Sequence, residues 1–192
     1  PPPPRNSRAR LMEFDATSED GLELRDIPPP LGEFLRQIPS AVEVDNPDVA
    51  ARFFPCPSQD PAEDSLRADW KALVEPGLYE VFLDARGVVE SDVRRMIKDG
   101  GTFALTIPRR HTRAWIHALN QARIGLVTRH GIQIDESAAW PPNPIATEGD
   151  WLLLQIGFYE RVLGLRAHGD DPRHFAAAIP LVGDEPHCYL VV

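Results

Sequence analysis

The chain has 192 residues, of which 43% are hydrophobic and 26% are charged, and its net charge is −9. This composition is ordinary for a soluble globular protein, and the acidic balance argues against a general nucleic-acid binder. The two cysteines, Cys56 and Cys188, cannot build a disulfide framework, so we expect a cytoplasmic protein. We predict neither a signal peptide nor a membrane span.

The first part of the chain begins with a Pro/Arg-rich tail, Pro1–Arg10, followed by what we predict to be a single globular domain, residues 11–192. Alternating apolar and charged residues around a polar turn predict a β-hairpin over residues 11–27. Apolar residues at helical spacing then predict a short helix over residues 31–38, which Pro39 closes.

Helices are also predicted between residues 46 and 86. Asn46-Pro47 supplies the cap and the first residue of a short helix. Asp60-Pro61 begins a longer one, because acidic residues follow in the first turn, where the helix dipole favours them. Pro76-Gly77 is expected to break or kink this helix.

The region up to residue 107 changes from helix to strand. The apolar pattern resumes as far as Arg86-Gly87, and Ser91-Asp92 is predicted to cap one or two last helical turns that reach Ile97. Gly100-Gly101 then stops the helix. Thr102–Ile107 is β-branched and aromatic, which predicts a strand.

Two long helices are predicted in the second half. Arg109–His130 carries an apolar stripe and has Gly131 as its C-terminal stop. Thr147–Arg166 opens with Thr147 and Asp150 at the spacing of a capping box. It is apolar in nearly every direction and too short for a bilayer, as expected of a buried core helix.

The last predicted elements are a short helix, His174–Ile179, and a terminal strand, His187–Val192. If the strand lies free, it offers an edge for a two-fold dimer, which we slightly favour; if it joins the chain's own sheet, the protein is monomeric. The elements together predict a helix-dominated α+β fold. In it, the two long helices pack against residues 61–86, beside a small accessory sheet.

No sequence motif of catalysis or of cofactor binding is present. The chain lacks the G-x-S-x-G, P-loop, G-x-G-x-x-G and C-x-x-C patterns. His111 and His117 are six residues apart, which a helix places on different faces. The many acidic residues between 60 and 92 are typical of a solvated helix face. We therefore predict no catalytic residue, no cofactor and no metal site.

The charge is distributed unevenly. Residues 102–134 contain no acidic residue and five arginines, so the rest of the chain carries −9 − 5 = −14. Guanidinium groups bind carboxylates and phosphates, which makes this helix a candidate partner- or anion-binding face. The residues of that candidate face are Arg109, Arg110, Arg113, Asn120 and Arg123.

The alternative, which we favour, is an internal role for these charges. The basic helix would lie beside the acidic 60–92 region, and the charges would pair across the boundary. Arg123 would then pair with an acid of that region, and Asn120 would bond a nearby loop backbone.

Three stretches resemble a known family: NPDVAARFFP from Asn46, AWIHALNQARIGLVTRHGI over Ala114–Ile132, and DWLLLQIGFYERVL over Asp150–Leu163. In this order they are similar to domain-of-unknown-function family number two-thousand-and-seventeen. Members are helical proteins typically encoded beside the ClpS adaptor of the Clp protease. The run Leu152–Gln155 and the Pro-rich ends depart from the family pattern. The resemblance implies a link to Clp-type proteolysis and supplies no catalytic residues.

The sequence therefore favours a cytoplasmic interaction protein of adaptor type, without enzymatic activity, whose partner belongs to the Clp system. Two alternatives stay open. One is an enzyme with a carboxylate- or histidine-based site that the sequence does not reveal. The other is an anion or nucleic-acid binder that uses the Arg-rich helix 109–130, although the net charge makes nucleic acid unlikely as a partner.

Overall fold

The computed structural model describes residues 13–15, 21–44, 47–58, 60–133 and 145–167. The predictions for Pro1–Arg10, His174–Ile179 and His187–Val192, and with them the dimer through the terminal strand, lie outside these residues. The described part contains four strands and six α-helices: β1 (Glu13–Asp15), β2 (Gly21–Ile27), α1 (Pro29–Ala41), α2 (Pro47–Phe53), α3 (Asp64–Leu73), α4 (Glu75–Arg94), β3 (Ile97–Asp99), β4 (Thr102–Pro108), α5 (Thr112–His130) and α6 (Glu148–Ala167).

The four strands form one antiparallel sheet in the order β1-β2-β4-β3. The hairpin predicted over residues 11–27 and the strand predicted over 102–107 are both confirmed. One face of the sheet is buried, because alternate residues of β2 and β4 point to the same side. Leu24 and its partner Leu105 lie on that face, 0% and 2% exposed. The small sheet thus closes one side of a helical core, and the helix-dominated α+β prediction is confirmed.

Strand β3 corrects the prediction of a last helical turn through Ile97. Residues Ile97–Asp99 instead pair with β4 across a two-residue turn, Gly100-Gly101. Both glycines have positive φ, 53° and 99°. Such values suit the tight turns whose twist matches a hairpin, and residues with a β-carbon rarely adopt them. The glycine pair therefore reverses a strand rather than stopping a helix.

Helices α3 and α4 confirm one predicted break and overturn another. The break expected at Pro76-Gly77 falls at Val74, and Pro76 lies in the first turn of α4, where its missing N–H costs nothing. However, α4 runs without interruption through Gly87 and through Asp92, which was expected to cap a new turn. Burial explains the continuity, since α4 packs its apolar stripe on the core: Ala85, Val89 and Val93.

Helix α1 is longer than the predicted range 31–38. It begins at Pro29, a residue type that suits the first helical turn, and it ends at Ala41. Pro39 does not close it but lies inside the last turn, where few backbone bonds remain to be lost. The short helix predicted to start with Pro47 is confirmed as α2.

The two predicted long helices are confirmed, although α5 begins at Thr112, after a 3-10 turn over Arg109–His111, and not at Arg109. Gly131 follows α5 in the left-handed conformation, with φ of 59°. The capping box of α6 is formed, because the Asp150 N–H donates to the Thr147 hydroxyl at 3.1 Å while the Asp150 carboxylate accepts from the Thr147 amide at 2.8 Å. Hydrogen bonds from the Ala146 amide, and then from Thr147, lower the pKa of Asp150.

The core lies between α6, α5, α1 and the sheet. Helix α6 contributes three of its most buried side chains, Leu154, Phe158 and Tyr159, which are at most 1% exposed. In the described residues, α5 packs against α4, whereas α6 packs on α5 and α1. The expectation that both long helices pack against residues 61–86 is therefore wrong for α6.

One buried polar network joins α6 to α1. The Tyr159 hydroxyl donates to the Phe34 carbonyl oxygen at 2.6 Å. The Gln155 amide donates to the Tyr159 oxygen at 2.8 Å and to the side-chain oxygen of Gln37 at 2.9 Å. These three hydrogen bonds hold α6 and α1 in one register.

The first test replaces Tyr159 by phenylalanine. Tyr159→Phe removes one donor from the Phe34 carbonyl, which keeps its helical N–H partner, and one acceptor from the Gln155 amide, so we expect the free energy of unfolding to fall by about 1–2 kcal/mol. Urea denaturation measures it. Tyr79→Phe is the matched control, since Tyr79 is 43% exposed and should change stability little. Equal stability of both variants would contradict the role of the network.

The same residue predicts an alkaline limit of stability. Burial raises the pKa of Tyr159 above its ordinary value of 10.0, so the folded state favours the neutral hydroxyl. Its contribution is complete below pH 10 and is lost as the pH rises further, by roughly 1.4 kcal/mol per pH unit. Between pH 10 and 11, unfolding measurements should show a steeper loss for the natural chain than for Tyr159→Phe. Parallel losses would refute this assignment.

Candidate functional site

The predicted partner or anion face lies where α5 begins and along its outer side. Arg109 and Arg110 are exposed in a 3-10 turn, 109–111, that leads into α5. Arg113 and Asn120 are exposed on α5, and Arg123 is half-buried. The three α5 residues are spaced by seven and three positions, so one side of the helix carries them.

The predicted pairing of these arginines with the acidic 60–92 region is wrong. Arg123 forms its ion pair with Glu160 of α6. Asn120 does not bond a loop backbone; its side-chain oxygen accepts from Arg123 at 3.2 Å. Arg110 and Arg113 donate to the imidazoles of His111 and His117, at 3.3 Å and 3.4 Å. Among the described residues, Arg109, Arg110 and Arg113 have no carboxylate partner.

The link between α4 and the start of α5 is a buried carboxylate, that of Asp92, which is 1% exposed. It accepts from the Arg95 guanidinium at 2.6 Å and from the Trp115 indole N–H at 2.9 Å. The His111 Nδ1 lies 3.0 Å and 2.9 Å from its two oxygens. Three donors from three segments thus converge on one acid, which we call the Asp92 anchor.

The Asp92 anchor was not predicted from the sequence, in which Asp92 was interpreted as a helix cap and His111 was considered only as a metal ligand. Two features could have revealed it. Asp92 follows Val89 by three residues and precedes Val93, so it sits on the buried stripe of α4. A carboxylate on such a stripe requires donors, and a basic turn lies nearby in the sequence.

The chemistry open to the Asp92 anchor is limited. Its oxygens already accept from three groups, and no hydroxyl or thiol is hydrogen-bonded to His111 in the described residues. The described residues also contain no group of three His, Cys, Asp or Glu side chains placed to hold a metal ion. The Cys56 thiol bonds the Ser58 carbonyl oxygen at 3.3 Å. The anchor therefore resembles a structural tie more than an acid–base pair.

A mostly apolar cleft lies between the sheet and the helices α5 and α6. Leu22 and Ile107 of the sheet line one side, and Thr112, Trp115 and Ile116 of α5 line another. The Thr112 hydroxyl is buried and has no hydrogen-bond partner among the described residues. Ile116 is 41% exposed, so the cleft has an open edge along α5.

Helix α3, Val74 and the first half of α4 expose many apolar side chains. We call this the arm surface, and its members are Leu66, Leu73, Val74, Tyr79, Val81 and Leu83. Beneath it, Trp70, Leu78 and Phe82 pack on a small second core of Val49, Phe53 and Phe54. Helix α3 itself has no buried residue.

No helix in the described part of the chain is long and apolar enough to cross a bilayer.

The role of the Asp92 anchor is testable by one isosteric change. Asp92→Asn places an amide N–H₂ among three donors, so we expect the free energy of unfolding to fall by about 2–4 kcal/mol. Asp84→Asn, on an exposed position of the same helix, should change it little. Thermal or urea unfolding measures the stability of the Asp92→Asn and Asp84→Asn variants. A stable Asp92→Asn chain would show that the carboxylate is not needed to join α4 to α5.

Comparison with known proteins defines the family. No curated protein and no solved structure matches this chain. The family model described as "Domain of unknown function (DUF2017)" matches residues 8–179, which covers almost all of the sequence. The stretches that carry the resemblance fall on α2, α5 and α6, so they are core helices of one fold. The chain belongs to the family of proteins that carry the domain of unknown function DUF2017.

Proposed function

We propose that this protein is a non-enzymatic interaction protein of adaptor type that binds a partner protein on the arm surface. One observation carries the proposal. Nine large hydrophobic side chains are exposed in the described residues, and six of them lie between Leu66 and Leu83. Scattered exposed apolar residues are normal, but a concentration on one part of a surface is typical of a protein–protein interface.

The arrangement of α3 supports the same conclusion. Its apolar residues, Leu66, Trp70 and Leu73, recur at helical spacing, yet only Trp70 is partly buried. Leu73 is 79% exposed. Covering apolar surface stabilises a complex by about 25 cal/mol per Å². A helix that presents its apolar stripe in this way is suited to binding another helix.

The net charge of the segment that carries the arm surface indicates the charge of the partner. Residues 60–84 contain seven acidic residues and two basic ones, so this segment carries −7 + 2 = −5. Two arm surfaces facing each other would repel, which disfavours a second copy of the chain as the occupant. The complementary partner is a protein that presents a cationic, amphipathic helix.

The partner we propose is a component of the Clp proteolytic system in the cytoplasm. The support is the ClpS gene neighbourhood that the family resemblance implies, together with the arm surface.

An enzymatic role has less support. The carboxylate–histidine pair with which it would work is Asp92–His111, and the Asp92 oxygens are already engaged by Arg95 and Trp115. Binding of nucleic acid is disfavoured by the net charge of −9.

The test measures binding of two kinds of probe by calorimetry: purified ClpS-type adaptor and Clp chaperone subunit, and an 18-residue amphipathic peptide of leucine and lysine. We expect the peptide and one Clp component to bind. Leu73→Ser combined with Leu83→Ser should weaken both interactions by about tenfold, because each change removes buried apolar area.

Ile97→Ser is the matched control, since Ile97 is 67% exposed on β3, outside the arm surface. It should bind as the natural chain does. If neither probe binds, the proposed function is wrong. If the peptide binds but no Clp component does, the arm surface is still a binding site, but the proposal that its partner is a Clp component is wrong. If the control variant loses binding equally, the arm surface is not the site.

A further inference from the structure

Helix α3 is weakly attached to the rest of the molecule. None of its residues is buried, and eight of its ten residues are exposed. Of its apolar side chains, Trp70 is the one that packs on a core, the second core of Val49, Phe53 and Phe54. A helix of ten residues is marginal in water by itself and depends on packing for its stability. Because α3 has little packing, we expect it to open at a small cost in free energy, without unfolding of the whole chain.

The polar side chains of α3 do not attach it further. Arg67 donates to the Asp60 carbonyl oxygen at 3.1 Å and forms an ion pair with Asp64. Both partners belong to the same short segment, residues 60–73, so these bonds move together with the helix. In the described part of the chain, no side chain of α3 forms a hydrogen bond or an ion pair outside that segment.

The junction between α3 and α4 has the features of a hinge. Pro76 has no N–H, so the helical hydrogen bond to the Ala72 carbonyl oxygen cannot form there. The φ of Val74 is −107°, compared with about −63° in a regular α-helix. Hinge motions are absorbed by a few such residues at the ends of elements. Helix α3 can therefore rotate about Val74 while α4 stays on the core.

The apolar stripe of α3 extends beyond the core that it covers. Leu66, Trp70 and Leu73 are four and three positions apart, so they lie on one side of the helix. Trp70, in the middle, packs on the second core, whereas Leu66 and Leu73 are 48% and 79% exposed. Two of the three positions of the stripe are thus available to another apolar surface.

The charges of α3 and α4 indicate what covers the stripe. Residues 64–73 contain two acidic and two basic residues, −2 + 2 = 0, whereas residues 75–84 contain three acidic residues and no basic one, −3. A helix with one apolar and one cationic side can place its apolar side on the stripe and its cationic side toward the acids of α4. A second copy of α3 and α4 would bring like charges together.

We infer that α3 is a hinged lid, which opens at Val74 in the free protein and closes on a cationic, amphipathic helix of the partner, so that Leu66 and Leu73 become covered. The class of the partner rests on the proposed function, whereas the opening rests on the packing of α3 alone. Binding includes the cost of ordering the lid. Changes that loosen α3 therefore lower the affinity for the partner.

The experiment measures amide hydrogen exchange of the full chain by NMR, first without a ligand. The amides of residues 64–73 should be at least about tenfold less protected than those of residues 85–94, which form the half of α4 that packs on the core. The 18-residue peptide of leucine and lysine is then added in excess. It should raise the protection of residues 64–73 by about tenfold or more, because it binds the closed lid.

Two matched tryptophan variants test the attachment of the lid. Trp70→Ala should remove the remaining protection of residues 64–73, change that of residues 112–130 little, and weaken peptide binding by about tenfold. Trp151→Ala is the control, since Trp151 is 37% exposed on α6, where it contacts the Phe34 ring. It should leave both the protection of α3 and the affinity for the peptide unchanged.

Three outcomes would overturn the lid while leaving the proposed function intact. The first is equal protection of residues 64–73 and 85–94 in the free chain, which would make α3 part of the cooperative core. The second is peptide binding without any change in the protection of α3. The third is tighter peptide binding by Trp70→Ala, which would mean that the partner displaces α3. If no peptide binds, the proposed function and the closing of the lid are both wrong, and exchange in the free chain still decides whether α3 opens.

Discussion

The position of α5 depends on one buried charge, the carboxylate of Asp92. Removing a carboxylate from water is costly unless several donors replace the lost hydration. Here the donors come from the end of α4, from the 3-10 turn and from α5. The hairpin β3–β4 lies between Asp92 and His111 in the sequence, so the same contacts close the loop that contains it. The helical layer and the sheet are therefore joined at this residue.

The described residues form two chemically different parts, which differ in the size of their cores and in their surface charge. The part formed by α1, α5, α6 and the sheet is apolar inside. Two of its buried polar side chains, Tyr159 and Gln155, are bonded to one another, whereas the buried amide of Gln121 has no hydrogen-bond partner among the described residues. The part formed by α2, α3 and the start of α4 has only a small second core. Its acidic, apolar exterior contrasts with the basic start of α5. The exposed arginines at the start of α5 therefore have no carboxylate partner from the acidic part among the described residues.

Much of the fold could be predicted because it is determined locally. The capping box of Thr147 and Asp150, the stop at Gly131 and the strand 102–107 depend on a few neighbouring residues, and all three are present. Some of the wrong predictions, such as the helical turn at β3, were local, but others involve contacts distant in sequence. Helix α4 continues past Gly87 because the core packs against it, and no local pattern contains that information.

The candidate face shows the same limit. Charge composition identified the arginines of α5 but not their partners, since Glu160, which pairs with Arg123, lies 37 positions away. The Asp92 anchor was not predicted from the sequence for a related reason. An acid after a serine looks like a cap in sequence, and only the position of Trp115 and His111 in space shows that it is buried. The arm surface could not be predicted from the sequence either. An apolar stripe on a helix predicts that the stripe is buried, and only the structure shows that neighbouring elements leave it exposed.

The continuity of α4 has a mechanical consequence. Its 20 residues form one uninterrupted rod, about 30 Å long, whose first half contributes to the arm surface and whose last turn contains Asp92. A rod of this length fixes the separation between the arm surface, to which its first half contributes, and the Asp92 anchor in its last turn.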